Sequence, residues 1–350
     1  MTERSGTQSA APHNRLDEAR LQSWLTRHVP GFEGPLSIRQ FAGGQSNPTF
    51  LVEAAGERIV LRKKPAGALM PSAHAIDREF RVLRALENTS VAVPRARIYC
   101  SDDTVIGAPF YIMDFVEGRI FTDPLLPECS KAERAELYDA MNDALARLHL
   151  VDWRAAGLQD FGKPHGYFAR QIARWGKQYE ITRTGAPTPE MDALLAWLSA
   201  HAPDDEAAAI VHGDFRIGNL VFHSTEPRVT AVLDWELATI GHPIADLAYN
   251  CMTYHLHHDD PVARGFVGID LADAGLPSEA DYIGAYARRT GRDASAIWRF
   301  AMAFSLFRTA AIQQGVYARA LQGNANASDA ICFGESARRV ASAGWRVANG

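Results

Sequence analysis

The chain has 350 residues, 47% of them hydrophobic and 22% charged, with a formal net charge of −5. Those proportions exclude a disordered tail protein and a fibrous one, and the length admits two domains or one bilobed unit. The charge is too mild to point to a nucleic-acid or membrane partner, and no stretch reaches the roughly 20 consecutive apolar residues of a membrane span.

In chain order, the polar stretch MTERSGTQSAAPHNR carries no apolar core of a secretory signal and reads as a disordered lead-in. A short helix is expected from about Leu16 to Thr26, ended by His28-Val29-Pro30-Gly31. The segments SIRQFAG, PTFLVEAA and ERIVLRK are short and rich in β-branched and aromatic residues, and Gly-Gly-Gln-Ser-Asn-Pro and Ala-Gly-Glu separate them. That is a meander of antiparallel strands joined by turns. Ile76, Phe80, Leu83 and Leu86 recur at helical spacing, and strands follow at Arg95–Cys100 and Pro109–Phe115. Beyond Gly118 helical patterns dominate, at Leu137–Leu148, Phe168–Tyr179, Met191–Leu198, Tyr282–Arg289 and Ile297–Leu321.

A β-type island interrupts the helices: AIVHGDFRIGNLVFH, then RVTAVLDWELA. Asp214 is followed five residues later by Asn219, and Asp234 comes 15 residues after that. Each lies beside a short apolar strand, which would hold its oxygen-bearing side chain rigidly at a strand end. Asn219 and Asp234 offer hard oxygen ligands of the kind Mg²⁺ takes, and Asp214 is a carboxylate able to orient an attacking hydroxyl and accept its proton. The plain alternative is that the three cap turns, as Asp and Asn often do. No Walker A, HExxH, GxSxG or GxGxxG pattern occurs. The four cysteines, Cys100, Cys129, Cys251 and Cys332, form no CxxC pair, so a reducing cytoplasm is the expected compartment.

HGDFRIGN followed by LDWE resembles the catalytic and metal-binding loops of the aminoglycoside phosphotransferase and choline kinase family, relatives of the protein kinases. GGQSNPTF, VLRKKP, PSAHAIDREFRVL and HGDFRIGN together resemble a narrower branch, the kinase-like domain found alone in bacteria and at the N-terminus of long eukaryotic acyl-CoA dehydrogenases. The resemblance covers roughly residues 36 to 320. It implies an α+β, bilobal, protein kinase-like fold: a small antiparallel β lobe with one helix, and a large, mainly helical lobe. The expected division is an N-terminal extension over 1–34, a nucleotide-binding lobe over 35–117, and a lobe carrying catalytic loop and substrate site over 118–350. ATP and Mg²⁺ are the implied cofactors, with ATP between the lobes, and a small molecule bearing a hydroxyl is the implied partner.

Residue by residue, the family pattern implies Asp214 as catalytic carboxylate and Asn219 and Asp234 as metal ligands. Its phosphate-binding lysine falls on Arg62, with Glu79 of the next helix as ion-pair partner. Lys64 stands two residues on as a substitute, and arginine is not a neutral stand-in for lysine. Gly43, Gly44, Ser46 and Asn47 occupy the phosphate-covering turn without G-x-G-x-x-G, and the backbone near Asp114 to Val116 would face the adenine. His212 is expected to brace the catalytic loop and Asp246 to anchor it. Arg216 and Glu236 divide between site roles and ordinary surface roles. His255, His257, His258, Asp259 and Asp260 read as a solvated loop rather than a transition-metal site. The branch is linked to hydroxyacyl-CoA-type substrates, which sets the preferred acceptor. The alternatives are an aminoglycoside-type antibiotic kinase and a nucleotide-binding pseudokinase acting as partner or scaffold, the latter kept open by the missing lysine.

Overall fold

A six-stranded antiparallel sheet of order β1-β2-β3-β4-β6-β5 opens the computed structural model, which describes residues 6–8, 14–41, 47–65, 75–183, 188–204, 207–321 and 327–350. Its strands are β1 (Thr7–Gln8), β2 (Ser37–Phe41), β3 (Thr49–Ala54), β4 (Glu57–Lys63), β5 (Ala96–Cys100) and β6 (Phe110–Asp114). The polar lead-in, expected to be disordered, contributes a strand, because Thr7 and Gln8 pair with Phe41 and Gln40. A two-residue turn links β3 to β4, with Ala55 and Gly56 both at positive φ (50° and 85°). That double left-handed geometry matches the twist of a tight hairpin, and glycine adopts it without a Cβ penalty.

The period of two along the strands sorts the side chains. Phe50, Val52, Ile59, Leu61, Phe110 and Ile112 share a buried cluster with Leu21, Trp24 and Leu25 of α1 (Glu18–His28) and with Phe32. Asp17 caps that helix by accepting the Arg20 N–H at 3.0 Å, so it starts two residues later than the apolar pattern suggests. On the other face of the sheet, Arg62 of β4 lies directly opposite Tyr111 of β6. There α2 (Ile76–Leu86) brings Phe80 to 6.0 Å, ring to ring, from Tyr111.

Then come α3 (Lys131–Leu150), α4 (Tyr167–Ile181) and α5 (Pro189–Ala200), followed by four short strands, β7 (Ala209–Val211), β8 (Leu220–Phe222), β9 (Val229–Val232) and β10 (Thr239–Gly241). These pair as two antiparallel ribbons, β7 with β10 and β8 with β9. The helices α6 (Pro243–Asn250), α7 (Leu271–Ala274), α8 (Glu279–Thr290), α9 (Trp298–Leu321) and α10 (Ala327–Asn349) complete the chain. Three of them, α6, α7 and α10, were not expected from the sequence. Helix α9 buries Phe300, Met302, Phe304, Leu306 and Phe307 on several sides at once. A helix apolar all round is a core helix, and it has little amphipathic signature.

The chain forms two compact units. The first comprises Met1–Ile120, Ala156–Leu158 and Asn219–Ala238, and the second Phe121–Ala155, Gln159–Gly218 and Thr239–Gly350. No helix among the described residues is long and apolar enough to cross a membrane.

Candidate active site

In the first unit a buried carboxylate organises the polar face of the sheet. Glu79 is 1% exposed and accepts from three donors, Asn47 Nδ2 at 2.7 Å, the Tyr111 hydroxyl at 3.0 Å and Arg62 Nη2 at 3.4 Å, with Arg62 Nε 2.8 Å away in an ion pair. Burial pushes the Glu79 carboxyl upward, and Arg62, Tyr111 and Asn47 oppose it. Three donors on two oxygens are the arrangement of an ionised carboxylate. Burial would lower the Arg62 pKa, but Glu79 and Asp234 outweigh it and hold the guanidinium charged well above its ordinary value. Arg62 then reaches beyond Glu79. Its Nη2 lies 2.6 Å from Asp234 Oδ1 and 3.9 Å from Glu236 Oε2.

The position of Asp234 is set by its backbone. It lies two residues past the end of β9 and has φ +66°, ψ 63°, a left-handed conformation rare for a residue with a Cβ. The turn ends the strand and starts a 3-10 turn over Trp235–Leu237. Trp235, 2% exposed, donates its indole N–H to Val232 O at 2.9 Å and pins the turn. Asn219 ends another 3-10 turn, Ile217–Asn219, and its carbonyl accepts Leu233 N–H at 2.8 Å. The ribbon β8–β9 thereby holds Asn219 and Asp234 in the same unit.

The residues expected to form the catalytic loop, up to Gly218, belong to the second unit. Asp246 of α6 is 1% exposed and accepts the backbone N–H groups of His212 at 2.5 Å and Gly213 at 2.8 Å. Burial pushes its carboxyl up, but His149, His212 and the Gly213 N–H outweigh that and leave it below the ordinary carboxylate range. His149 Nε2 lies 3.5 Å from Asp246, and its Nδ1 is 2.8 Å from the Tyr286 hydroxyl. Arg308 of α9 donates to the Gly213 carbonyl, so the backbone is held from both sides. Gly213 has φ +83°, which explains glycine at this position. From this clamped turn Asp214 presents a carboxylate whose Oδ1 accepts the Tyr249 hydroxyl at 2.5 Å and whose Oδ2 lies 3.4 Å from Arg216 Nε.

Of the remaining expected residues, Gly43, Gly44 and Ser46 lie outside the described residues. Asn47, expected at the phosphates, is fully buried with its amide donating to Glu79. Lys64 lies just past the end of β4, its N–H on Pro109 O, while Arg62 holds the acidic groups. Asp114 ends β6 and accepts from Arg97, and Val116 is half-buried just beyond. In the histidine-rich loop, His255 meets Glu279 at 2.8 Å, His257 meets Asp259 at 2.7 Å, and Asp260 accepts from the Val262 and Ala263 N–H groups and Ser336.

Tyr111 and Tyr249 were missed by the sequence reading. Tyr249 stands three residues after Asp246 on α6, a spacing that puts both on one helix face and was the available signal. Tyr111 sits across β6 from Arg62, a pairing that needs the register.

Residues 37–283 match the Phosphotransferase enzyme family. The chain belongs to that family. Acyl-CoA dehydrogenase family member 10 of Mus musculus is 45% identical over 339 residues, 97% of this chain and 31% of that protein. Acyl-CoA dehydrogenase family member 11 of Gallus gallus is 43% identical over 349 residues, 98% of this chain and 45% of that protein. The chain thus spans less than half the length of the curated relatives it matches. Among solved structures, a Ralstonia eutropha JMP134 protein with a provisional aminoglycoside phosphotransferase assignment is 47% identical, with TM-score 0.86 over 96% of this chain and 99% of that one. A mutant of aminoglycoside phosphotransferase APH(4)-Ia, solved with AMP-PNP and hygromycin B, is 15% identical with TM-score 0.60 over 93% of this chain and 98% of that one. The fold is therefore the phosphotransferase, kinase-like one, an α+β architecture with an antiparallel sheet toward the N-terminus and a helical C-terminal part.

Proposed function

We propose that the protein is an ATP-dependent kinase that moves the γ-phosphoryl group to a hydroxyl of a small molecule. The observation that carries this reading is the double pairing of Arg62, with Glu79 at 2.8 Å and Asp234 at 2.6 Å. A lysine in this family's pattern would tie the same helix carboxylate to the nucleotide site. Here the arginine fork joins that carboxylate to the metal-loop aspartate, so the departure from lysine leaves an intact ionic centre rather than a degenerate one. That speaks against the pseudokinase alternative.

Asn219 and Asp234 supply oxygen donors, the chemistry Mg²⁺ selects, and Arg62 pairs with Asp234 through Oδ1. Both residues come from one ribbon, so they are the groups that would hold the ion. When bound, Mg²⁺ neutralises charge on the nucleotide phosphates. The chain's own share is positioning. Asp214 orients the acceptor hydroxyl and takes its proton at a carboxylate oxygen as the oxygen–phosphorus bond forms and ADP leaves. Tyr249 and Arg216 restrict the rotation of that carboxylate, and Asp246 and Arg308 fix the backbone that carries it. The backbone near Asp114 and Val116 is assigned to the adenine.

For the acceptor, a hydroxyacyl-CoA-type compound is favoured over an aminoglycoside. The support is that curated relatives 40–45% identical over nearly the whole chain carry acyl-CoA dehydrogenase names, whereas APH(4)-Ia and the macrolide phosphotransferase fall to 15–20%; the 47% identical Ralstonia eutropha structure carries an aminoglycoside name and is the ground for the alternative. All four cysteines are free thiols, in keeping with a cytoplasmic setting. Radiolabelled ATP offered with a panel of hydroxyacyl-CoAs, hydroxy acids and aminoglycosides tests the reading. Label is expected in a hydroxyacyl compound, and Asp214→Asn is expected to slow transfer by roughly 10²- to 10⁴-fold. Transfer unchanged in that variant, or no transfer to any hydroxyl compound, overturns it.

A further inference from the structure

Two arginines of the second unit, Arg174 and Arg308, form no ion pair with a carboxylate among the described residues. Arg308 of α9 is 5% exposed. Its guanidinium carbon lies 5.1 Å from the Tyr249 ring centroid and 5.4 Å from that of Trp175, and its Nε is buried without a hydrogen-bond partner among the described residues. Arg174 of α4 lies 5.1 Å from the same Trp175 ring. Burial, then the positive charge of Arg308, pulls the Arg174 pKa down. Tyr167 feels both groups and Arg170 as well, while Arg170 gives its own hydrogen bonds to the Lys163 and His165 carbonyls.

The acidic groups nearby are already committed. Asp246 serves the His212 and Gly213 N–H groups and His149, and Asp214 serves Tyr249 and Arg216. Two guanidinium groups packed on one indole repel each other, and the buried Arg308 also loses hydration, a cost that an anion beside them would offset. The Tyr249 ring links this charge to the catalytic carboxylate: Arg308 lies over the ring, and the ring's hydroxyl donates to Asp214.

We propose that Arg174 and Arg308 form an anion subsite of the acceptor, so that the molecule phosphorylated at its hydroxyl carries a carboxylate or a phosphate recognised by these guanidiniums. This rests on the phosphotransfer reading for the word acceptor, but the anion site stands or falls on binding alone. Guanidinium forks match carboxylate and phosphate oxygens in plane and spacing, so both chemistries fit. A polycationic aminoglycoside is repelled. Arg308 sets the field from within, while Arg174, exposed over more than a third of its surface, makes the direct contact.

The test uses the full chain, wild type, Arg174→Gln and Arg174→Lys, with 3-hydroxybutyryl-CoA, 3-hydroxybutyrate and kanamycin. Calorimetry without nucleotide reads binding, and kinetics with Mg-ATP read KM and kcat separately. At least one of the two anionic compounds is expected to bind, and Arg174→Gln to weaken it by about tenfold or more, in KM and not in kcat. Arg174→Lys is expected to recover part of the loss, and kanamycin to respond to neither change. Loss for the thioester alone identifies the CoA phosphates as the anion, and loss for the free acid identifies a carboxylate. Binding with no phosphate uptake supports the subsite and overturns the phosphotransfer reading. Equal affinity in wild type and Arg174→Gln, no binding of either anion by wild type, or tighter binding of kanamycin overturns the subsite.

Discussion

Arg62 stands between a buried glutamate and a half-exposed aspartate, and its planar fork is what allows one side chain to serve both. A lysine ammonium is a single compact charge and cannot span the pair with the same geometry. Arg62→Lys is therefore expected to fold and to retain partial activity. Arg62→Met leaves Glu79 buried without its counter-charge and is expected to lose about 3–5 kcal/mol of stability, read by urea unfolding. Tyr249 acts on a smaller scale, through one hydrogen bond to Asp214. Tyr249→Phe frees that carboxylate to rotate, and kcat is expected to fall roughly 10- to 100-fold while the KM for ATP stays unchanged. Asp214, Asn219 and Asp234 were readable from their spacing because each is tied to a short apolar strand. The roles of Asn47 and Tyr111 were not, because both act on Glu79 from strands or turns more than 30 residues away along the chain.

Helix α1 looks like an appendage in the sequence, separated from the sheet by Pro30 and Gly31. In the folded chain its Leu21, Trp24 and Leu25 form one cluster with β3, β4 and β6. Leu25 is wholly buried, and Leu25→Ala is expected to cost about 2–5 kcal/mol, measured as a shifted urea midpoint. Most other helices were legible for the reason α1 was, a stripe of apolar residues at helical spacing. Helix α6 escaped because it is short and buried nearly throughout. Its Pro243 start and its His242 side chain, which accepts the Ile244 N–H at 3.2 Å, were the local signals.

At the scale of the whole molecule, proton uptake and ligand binding are the two levers on stability. Burial holds the His149 imidazole below its ordinary value, against the pull of Asp246. The folded protein then binds fewer protons than the unfolded one, so stability is present above about pH 6.5 and is lost as pH falls below it. Asp246, also held low, acts in the same direction only below about pH 4. The urea midpoint is expected to drop between pH 7.5 and 5.5, and His149→Gln to flatten that drop. Mg-ATP at about 100 times its Kd is expected to add about 2.7 kcal/mol to the folded state, seen as a raised melting temperature. Asp214→Asn is expected to keep that gain and Asp234→Asn to lose it.

By itself, the sequence determined the class of the protein: strand and helix periods along most of its length, and one ordered run of Asp214, Asn219 and Asp234 that few other chemistries require. Those signals are local, carried by neighbours within a few residues or by one loop. Only the tertiary structure decided that Arg62 bridges Glu79 and Asp234, that Asp246 and Arg308 hold the Gly213 backbone, and that Arg174 and Arg308 share Trp175. These depend on strand register and on helices far apart in the chain, so no spacing rule reaches them.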